Sequence, residues 1–266
     1  MGLDPADETA RALARGDPRA RLAALRARLA SPADGRAGLV LPPVLSLGLP
    51  ALDAHLPGGG LTLGPPHEIA PAGPADMIAA LGFALALCAR HTAGQLGAVL
   101  IAAAPGQPLP YGHGLAGLGL DPARLLLLEA GSDAEVFRAL EAALHARALT
   151  ALIGLLRGGM PLKPGRRLQL AAEAPPSGPA PPLLLILRPA EAGMPNGAAT
   201  RWRIAAAPAS RDRFGTLDRP RWRVRLERCR NGRGGDWLLE WDHAAHRLHL
   251  PEPLASDAAA PGRSRA

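Results

Sequence analysis

The chain has 266 residues, 48% of them apolar but only 3% aromatic, so one large or two small cores have to be built from Leu, Ala, Val and Ile. That composition suits helices on a sheet better than an aromatic-rich β-sandwich. The formal net charge of +7 rests almost wholly on Arg, because Lys163 is the only Lys, and it favours an anionic partner. The two cysteines, Cys88 and Cys229, make no CxxC pair, which excludes a disulfide framework and a zinc ribbon.

The first residues, Met-Gly-Leu-Asp-Pro-Ala-Asp-Glu, have neither the basic nor the apolar region of a signal peptide. The longest apolar run, Met77 to Ala89, is too short to span a bilayer. The expectation is a cytoplasmic protein with no membrane contact. Residues 7–30 are rich in Ala, Arg and Leu, and Leu22, Leu25 and Leu29 fall at helical spacing. This predicts a short amphipathic helix that packs on its own core or binds a partner in a groove. Residues 31–38 read as a linker.

From Leu39 the pattern changes. Gly58-Gly59-Gly60 and Gly64-Pro65-Pro66 mark turns, and His67 to Ala70 is a short strand. Asp76 can cap a helix to about His91 whose apolar residues cover most sides, so it should lie buried on a sheet. Ala98 to Ala102 is a buried strand, residues 111–118 return to helix, and Leu125 to Leu128 is a second buried strand. Ser132 or Asp133 caps a helix to about Arg147, with Glu135 three residues after Ser132 as a capping-box partner. Leu149 to Leu156, a helix over 166–174 and a strand from Leu183 to Leu187 complete the series. Strands alternating with helices imply an α/β fold with a mostly parallel central sheet, and continuous apolar strands imply that both sheet faces are covered. After residue 200 the style becomes antiparallel, with strands around Trp202, over 221–225, 236–242 and 246–250 and a turn at Asn231-Gly232. The expected layout is an N-terminal helix and linker (1–38), a core (39–207), basic strands continuing the core sheet (208–250) and a disordered tail (251–266).

Residues 201–233 hold eleven Arg and three acids, Asp212, Asp218 and Glu227, a net of +8 that accounts for all the excess charge. Arg201, Arg203, Arg221, Arg223, Arg225, Arg228 and Arg230 are candidate contacts to nucleic acid or to an acidic partner, and Trp202, Phe214 and Trp222 could stack bases. In 221–226, Arg221, Arg223 and Arg225 share one face of a strand; Trp222, Val224 and Leu226 share the other. Asp242, His243, His246 and His249 converge as metal ligands only on a helix, and the surrounding strand pattern argues against one, so no metal is expected. Cys88 reads as core. Cys229, between Arg228 and Arg230, should have a lowered thiol pKa but lacks a catalytic partner.

The stretch Leu47-Gly-Leu-Pro-Ala-Leu-Asp, followed by Gly58-Gly-Gly-Leu and His67-Glu-Ile, resembles the entry to a RecA core. Gly119-Leu-Asp-Pro-Ala-Arg-Leu-Leu, Arg166-Arg-Leu-Gln-Leu-Ala-Ala-Glu, Ala198-Ala-Thr-Arg-Trp-Arg-Ile and Pro220-Arg-Trp-Arg-Val-Arg-Leu-Glu-Arg-Cys-Arg-Asn-Gly are similar to the ImuA family, RecA-like bacterial proteins of damage-induced mutagenesis. The resemblance implies a RecA-like core over roughly residues 40–230. A working phosphate loop there would read Gly-x4-Gly-Lys-Ser/Thr. This chain has Ala70-Pro71-Ala72-Gly73-Pro74-Ala75-Asp76-Met77-Ile78 instead. Met77 stands at the Lys position and Ile78 at the hydroxyl position. Asp76 sets a negative charge where phosphate would sit, and Pro71 and Pro74 each remove an N–H donor. The acid expected after the strand 149–156 is replaced by Leu155 or Leu156, and the activating Glu expected after 98–102 by Ala104.

The resemblance therefore implies no ATP hydrolysis, no cofactor and an accessory role in SOS translesion synthesis. Its partners would be an ImuB-like inactive Y-family polymerase relative, an error-prone polymerase subunit and RecA itself, with DNA as a further ligand of the basic strands. The alternatives are a cell-division inhibitor like SulA, which is shorter and lacks the basic C-terminal segment, and a DNA-stimulated ATPase, which needs a Lys and an acid not found here.

Overall fold

The computed structural model describes residues 42–95, 97–173, 180–191 and 196–251. The helix expected around Leu22, Leu25 and Leu29 and the tail beyond Pro251 lie outside the described residues. In chain order the elements are β1 (Val44–Leu45), α1 (Pro50–Asp53), β2 (Leu61–Thr62), β3 (His67–Pro71), α2 (Met77–Thr92), β4 (Ala98–Ala103) and α3 (Gly112–Leu118). Then follow β5 (Leu125–Glu129), α4 (Asp133–Ala146), β6 (Leu149–Leu155), α5 (Leu162–Ala171), β7 (Leu183–Leu187), β8 (Thr200–Ala207), β9 (Arg221–Cys229), β10 (Gly235–Asp242) and β11 (Arg247–His249).

β1 and β2 pair with each other, and the other nine strands form one sheet in the order β11-β10-β9-β8-β3-β7-β6-β4-β5. From β8 to β5 each neighbouring pair is parallel; from β8 out to β11 each is antiparallel. The architecture is α/β, a large mixed sheet of mostly parallel strands flanked by helices. The antiparallel strands continue the parallel sheet through β8, which bonds β3 on one edge and β9 on the other.

The Leu, Ile and Ala runs of β4, β6 and β7 are buried because helices cover both sides of them. On one face α2 buries Phe83, Leu87 and Cys88 against Ile69, Ile153, Leu185, Trp202 and Trp222. On the other, Val136, Leu140 and Leu144 of α4 and Leu168 of α5 pack on Leu152, Leu184 and Ile186. Each such side chain withdrawn from water is worth about 1.5–3 kcal/mol. Pro74–Thr92 has the length and apolar content of a membrane span, but 61% of it is buried here. α4 is capped by Ser132, whose Oγ accepts from Glu135 N at 3.3 Å, but the expected capping box is altered: the Glu135 carboxylate accepts from Gly131 N at 2.7 Å instead of from Ser132 N.

One strand departs from expectation. β5 is not buried: it ends the sheet, and Leu126, Leu127 and Leu128 are 52%, 49% and 39% exposed. An apolar run reports a covered strand only when a neighbour lies on each side, and among the described residues β5 pairs with β4 alone.

A polar chain crosses the core beside β3. The Trp202 indole N–H donates to Thr200 Oγ1 at 2.7 Å, Thr200 Oγ1 lies 2.7 Å from His67 Nδ1, and His67 Nε2 lies 2.8 Å from the Thr62 carbonyl. A neutral His67 with its proton on Nε2 satisfies every member. Burial accordingly holds the His67 pKa down to about 4.

Candidate functional site

The loop after β3 is where an open parallel sheet ordinarily binds ligands, at the carboxyl ends of its strands. The residues expected to have lost phosphate chemistry, Pro71, Gly73, Pro74, Asp76, Met77 and Ile78, lie together there between β3 and the start of α2. The geometry adds a reason that sequence alone did not supply. Asp76 does more than repel an anion: its carboxylate takes an anion's place. Oδ2 accepts from Gly73 N at 3.2 Å, and Oδ1 accepts from Ala206 N of β8 at 2.9 Å. Ala72 N donates to the Ile204 carbonyl at 2.7 Å, Asp76 N to the Gly73 carbonyl at 3.0 Å, and Met77 N to the Pro74 carbonyl. Pro71 and Pro74 have no N–H to offer. The N–H groups of Ala72, Gly73, Asp76 and Met77 are thus spent inside the chain, and Ile78 projects 65% exposed where a hydroxyl would hold Mg²⁺.

The strand β6 ends in the same manner. Leu155 and Leu156 are fully buried, so no carboxylate faces the loop from there. Asp133, at the start of α4, turns back instead. Its two oxygens accept from Arg157 N and Gly158 N, each at 2.9 Å. Ala104, at the position of the activating acid, is buried and donates its N–H to the Leu155 carbonyl at 2.9 Å. Two internal carboxylates thus tie down two loops at one edge of the sheet. Asp133 was missed from the sequence because it read only as a helix-capping residue.

The basic strands are partly corrected. Arg201, Arg203, Arg221, Arg223 and Arg225 do share one face, opposite Trp202 and Trp222. Trp202 and Trp222 cannot stack bases, since they are 0% and 4% exposed, with Phe83 6.2 and 6.0 Å from their rings. Most of the arginines are also occupied. Arg201 reaches the buried Glu68 carboxylate at 3.3 Å, which Arg188 and Asn196 also bind. Arg203 pairs with Glu227 at 2.9 Å and donates to the Pro71 and Ala190 carbonyls. Arg221 pairs with Glu240 at 2.7 Å. Arg228 donates to the carbonyls of Asn196 and Ala198, and Arg230 to that of Gly197. Four of the seven candidates, Arg201, Arg203, Arg228 and Arg230, therefore fasten the connection between β7 and β8. The charge count within 201–233 overstated the free charge, because Glu68, Asp236, Glu240 and Asp242 come from outside that segment.

Arg223 and Arg225 remain exposed on the open face, and Arg225 lies only loosely, 3.7 Å, from Asp236. They border a groove of about 490 Å³ floored by Ala205 and Leu238, which begins at Ala72 of the closed loop. His243 Nδ1 lies 2.7 Å from the Gly117 carbonyl and His249 Nε2 3.4 Å from Asp242, so these histidines are tied to separate partners. The Cys229 thiol is corrected in sign: burial pushes its pKa up despite the flanking arginines.

No protein-family model matches the chain. Two curated relatives do, both Protein ImuA, from Caulobacter vibrioides strains NA1000 / CB15N and ATCC 19089 / CIP 103742 / CB 15. Each is 40% identical over 219 residues, covering 78% of this chain and 87% of the relative. With that identity spread over most of both sequences, the chain belongs to the ImuA family.

Proposed function

We propose that this chain is a non-catalytic accessory factor of damage-induced, error-prone DNA synthesis, built on a RecA-like core whose nucleotide site is closed. The observation that carries the reading is the spent loop: Asp76 binds the N–H groups of Gly73 and Ala206, and those of Ala72, Asp76 and Met77 also bond within the chain. A RecA-like origin is supported by the order of the six parallel strands, with β3 and its loop inside the sheet and the antiparallel strands added beyond β8. A role in mutagenesis is supported by membership of the ImuA family. With the loop donors and the Asp76 and Asp133 carboxylates engaged within the chain, the protein in this reading works through its surfaces. Its partners in this reading are an ImuB-like inactive polymerase relative, an error-prone polymerase subunit and RecA.

The test has two arms. Purified protein is assayed for phosphate release from Mg-ATP with and without single-stranded DNA, where release above a no-protein control would overturn the closed-site reading. Tagged protein is recovered from DNA-damaged cells, where polymerase factors should be retained; retention of a division protein in their place would refute the assignment. Deleting residues 1–30 should abolish that retention if this segment makes the contact.

A further inference from the structure

We propose that the open face of β8, β9 and β10 binds single-stranded nucleic acid, with phosphates on Arg223 and Arg225 and an unpaired base against Phe214. This surface borders the closed loop at Ala72 without using its donors, and the proposal goes beyond the accessory role.

α4 and α5 cover the parallel strands on this side of the sheet, but no described helix covers β8 to β10. The groove on this face has a mostly apolar floor, with Ala205, Val224, Trp237 and Leu238 in its lining, and Arg223 and Arg225 at its rim, a mixture that suits the bases and phosphates of one strand. Arg223 has no ion pair or hydrogen bond among the described residues, and it stands on the same side of β9 as Arg225. Alternate residues of a strand repeat at roughly 6.6–6.8 Å, a spacing that lets two guanidinium groups meet successive phosphates of an extended strand. Asp236 competes for Arg225 only weakly, since both side chains are more than 60% exposed at 3.7 Å.

β8 and β9 continue past the sheet into a ribbon that presents the aromatic group. Ser210 and Arg219 pair through the backbone, and Arg211 bridges Leu217. The Asp212 carboxylate accepts from Phe214 N at 2.8 Å and Thr216 N at 2.9 Å, and Arg211 donates to the Gly215 carbonyl at 2.6 Å. Gly215 has φ +82°, a conformation that an L side chain resists. The tip is therefore a built turn, and it holds Phe214 77% exposed with the Arg213 guanidinium 4.7 Å from its ring centre. An aromatic ring beside a guanidinium on a fixed turn matches a base and its phosphate. A duplex has no unpaired base to offer it, which selects a single strand.

The test uses the full chain and fluorescence anisotropy with a labelled oligothymidylate about twenty nucleotides long, its duplex, and poly-glutamate as competitor. The single strand should bind with a marked salt dependence and more tightly than the duplex. Arg223→Glu with Arg225→Glu should weaken it roughly tenfold or more and lower the salt slope by about one to two. Phe214→Ala should weaken it roughly tenfold with the slope unchanged. All three positions are exposed, so unchanged thermal melting confirms that the variants fold. No salt-dependent binding by the wild type, or unaltered binding by the variants, would overturn the proposal. So would displacement of the strand by poly-glutamate at equal charge, which would mark an acidic-protein surface. Retention of polymerase factors by the same variants would leave the accessory role standing when this proposal fails.

Discussion

Asp76→Ala isolates what the closed loop is worth. The substitution removes two charge-assisted hydrogen bonds, to Gly73 N at 3.2 Å and Ala206 N at 2.9 Å. Such bonds contribute about 1.5–3 kcal/mol each when shielded. Asp76 is half-buried, so solvent competes, and a total of about 1–2 kcal/mol is expected. For a domain of this size that is a fall in Tm of roughly 2–8 °C, readable by circular dichroism or urea unfolding. Asp76→Asn keeps one acceptor oxygen and should recover about half the loss. Mg-ATP should leave the Tm of the wild type and of Asp76→Ala unchanged, because Pro71, Pro74 and Met77 still deny phosphate its donors and its cation. Wild-type stability in Asp76→Ala would show that the carboxylate is not what holds the loop. An upward shift with Mg-ATP in Asp76→Ala would show that Asp76 alone blocks nucleotide.

Breaking the buried Glu68–Arg188 pair by Arg188→Met should cost about 3–5 kcal/mol in urea unfolding, and Glu68→Gln with Arg188→Met together should cost less than the two single changes summed. Trp202→Ala should cost about 3–5 kcal/mol, since the indole is fully buried and its N–H anchors Thr200. Acid should destabilise the fold through His67. Its folded pKa of about 4 lies below the ordinary 6.5, so the unfolded chain binds the extra proton. Stability present above pH 6.5 is therefore lost as the pH falls towards 4, at up to about 1.4 kcal/mol per pH unit, and His67→Gln should flatten that slope. The thiols of Cys88 and Cys229, both pushed up by burial, should react with Ellman's reagent far more slowly in the native protein than in denaturant.

The core was legible because burial writes itself into runs and alternations. β4, β6 and β7 are continuous apolar strands, and the Arg-Trp-Arg-Val-Arg-Leu alternation placed Trp222, Val224 and Leu226 inward correctly. β5 was misread because Leu125 to Leu128 looks the same as β7 until the sheet order shows that nothing follows it. The departure from a phosphate-loop pattern could be seen in Pro71, Pro74 and Met77, whereas the bond from Asp76 to Ala206 joins residues 130 positions apart and leaves no local trace. A separation of 133 positions likewise hid the neutralisation of Arg201 by Glu68, and Glu240, which pairs with Arg221, lies just beyond the segment whose charge was counted. Phe214 emerges as the exposed aromatic residue of the basic segment only after Trp202 and Trp222 are seen to be core.

The carboxylate of Asp76 is a ligand attached by its own chain. A free nucleotide occupies its loop in proportion to its concentration and leaves when it is cleaved or diluted. A tethered anion has a fixed, high local concentration and no product state to pass into. The two bonds of Asp76 hold the loop to β8 with no nucleotide present. On the closed-site reading proposed above, what switches the molecule is its abundance or the arrival of another macromolecule, with no hydrolytic clock to time it.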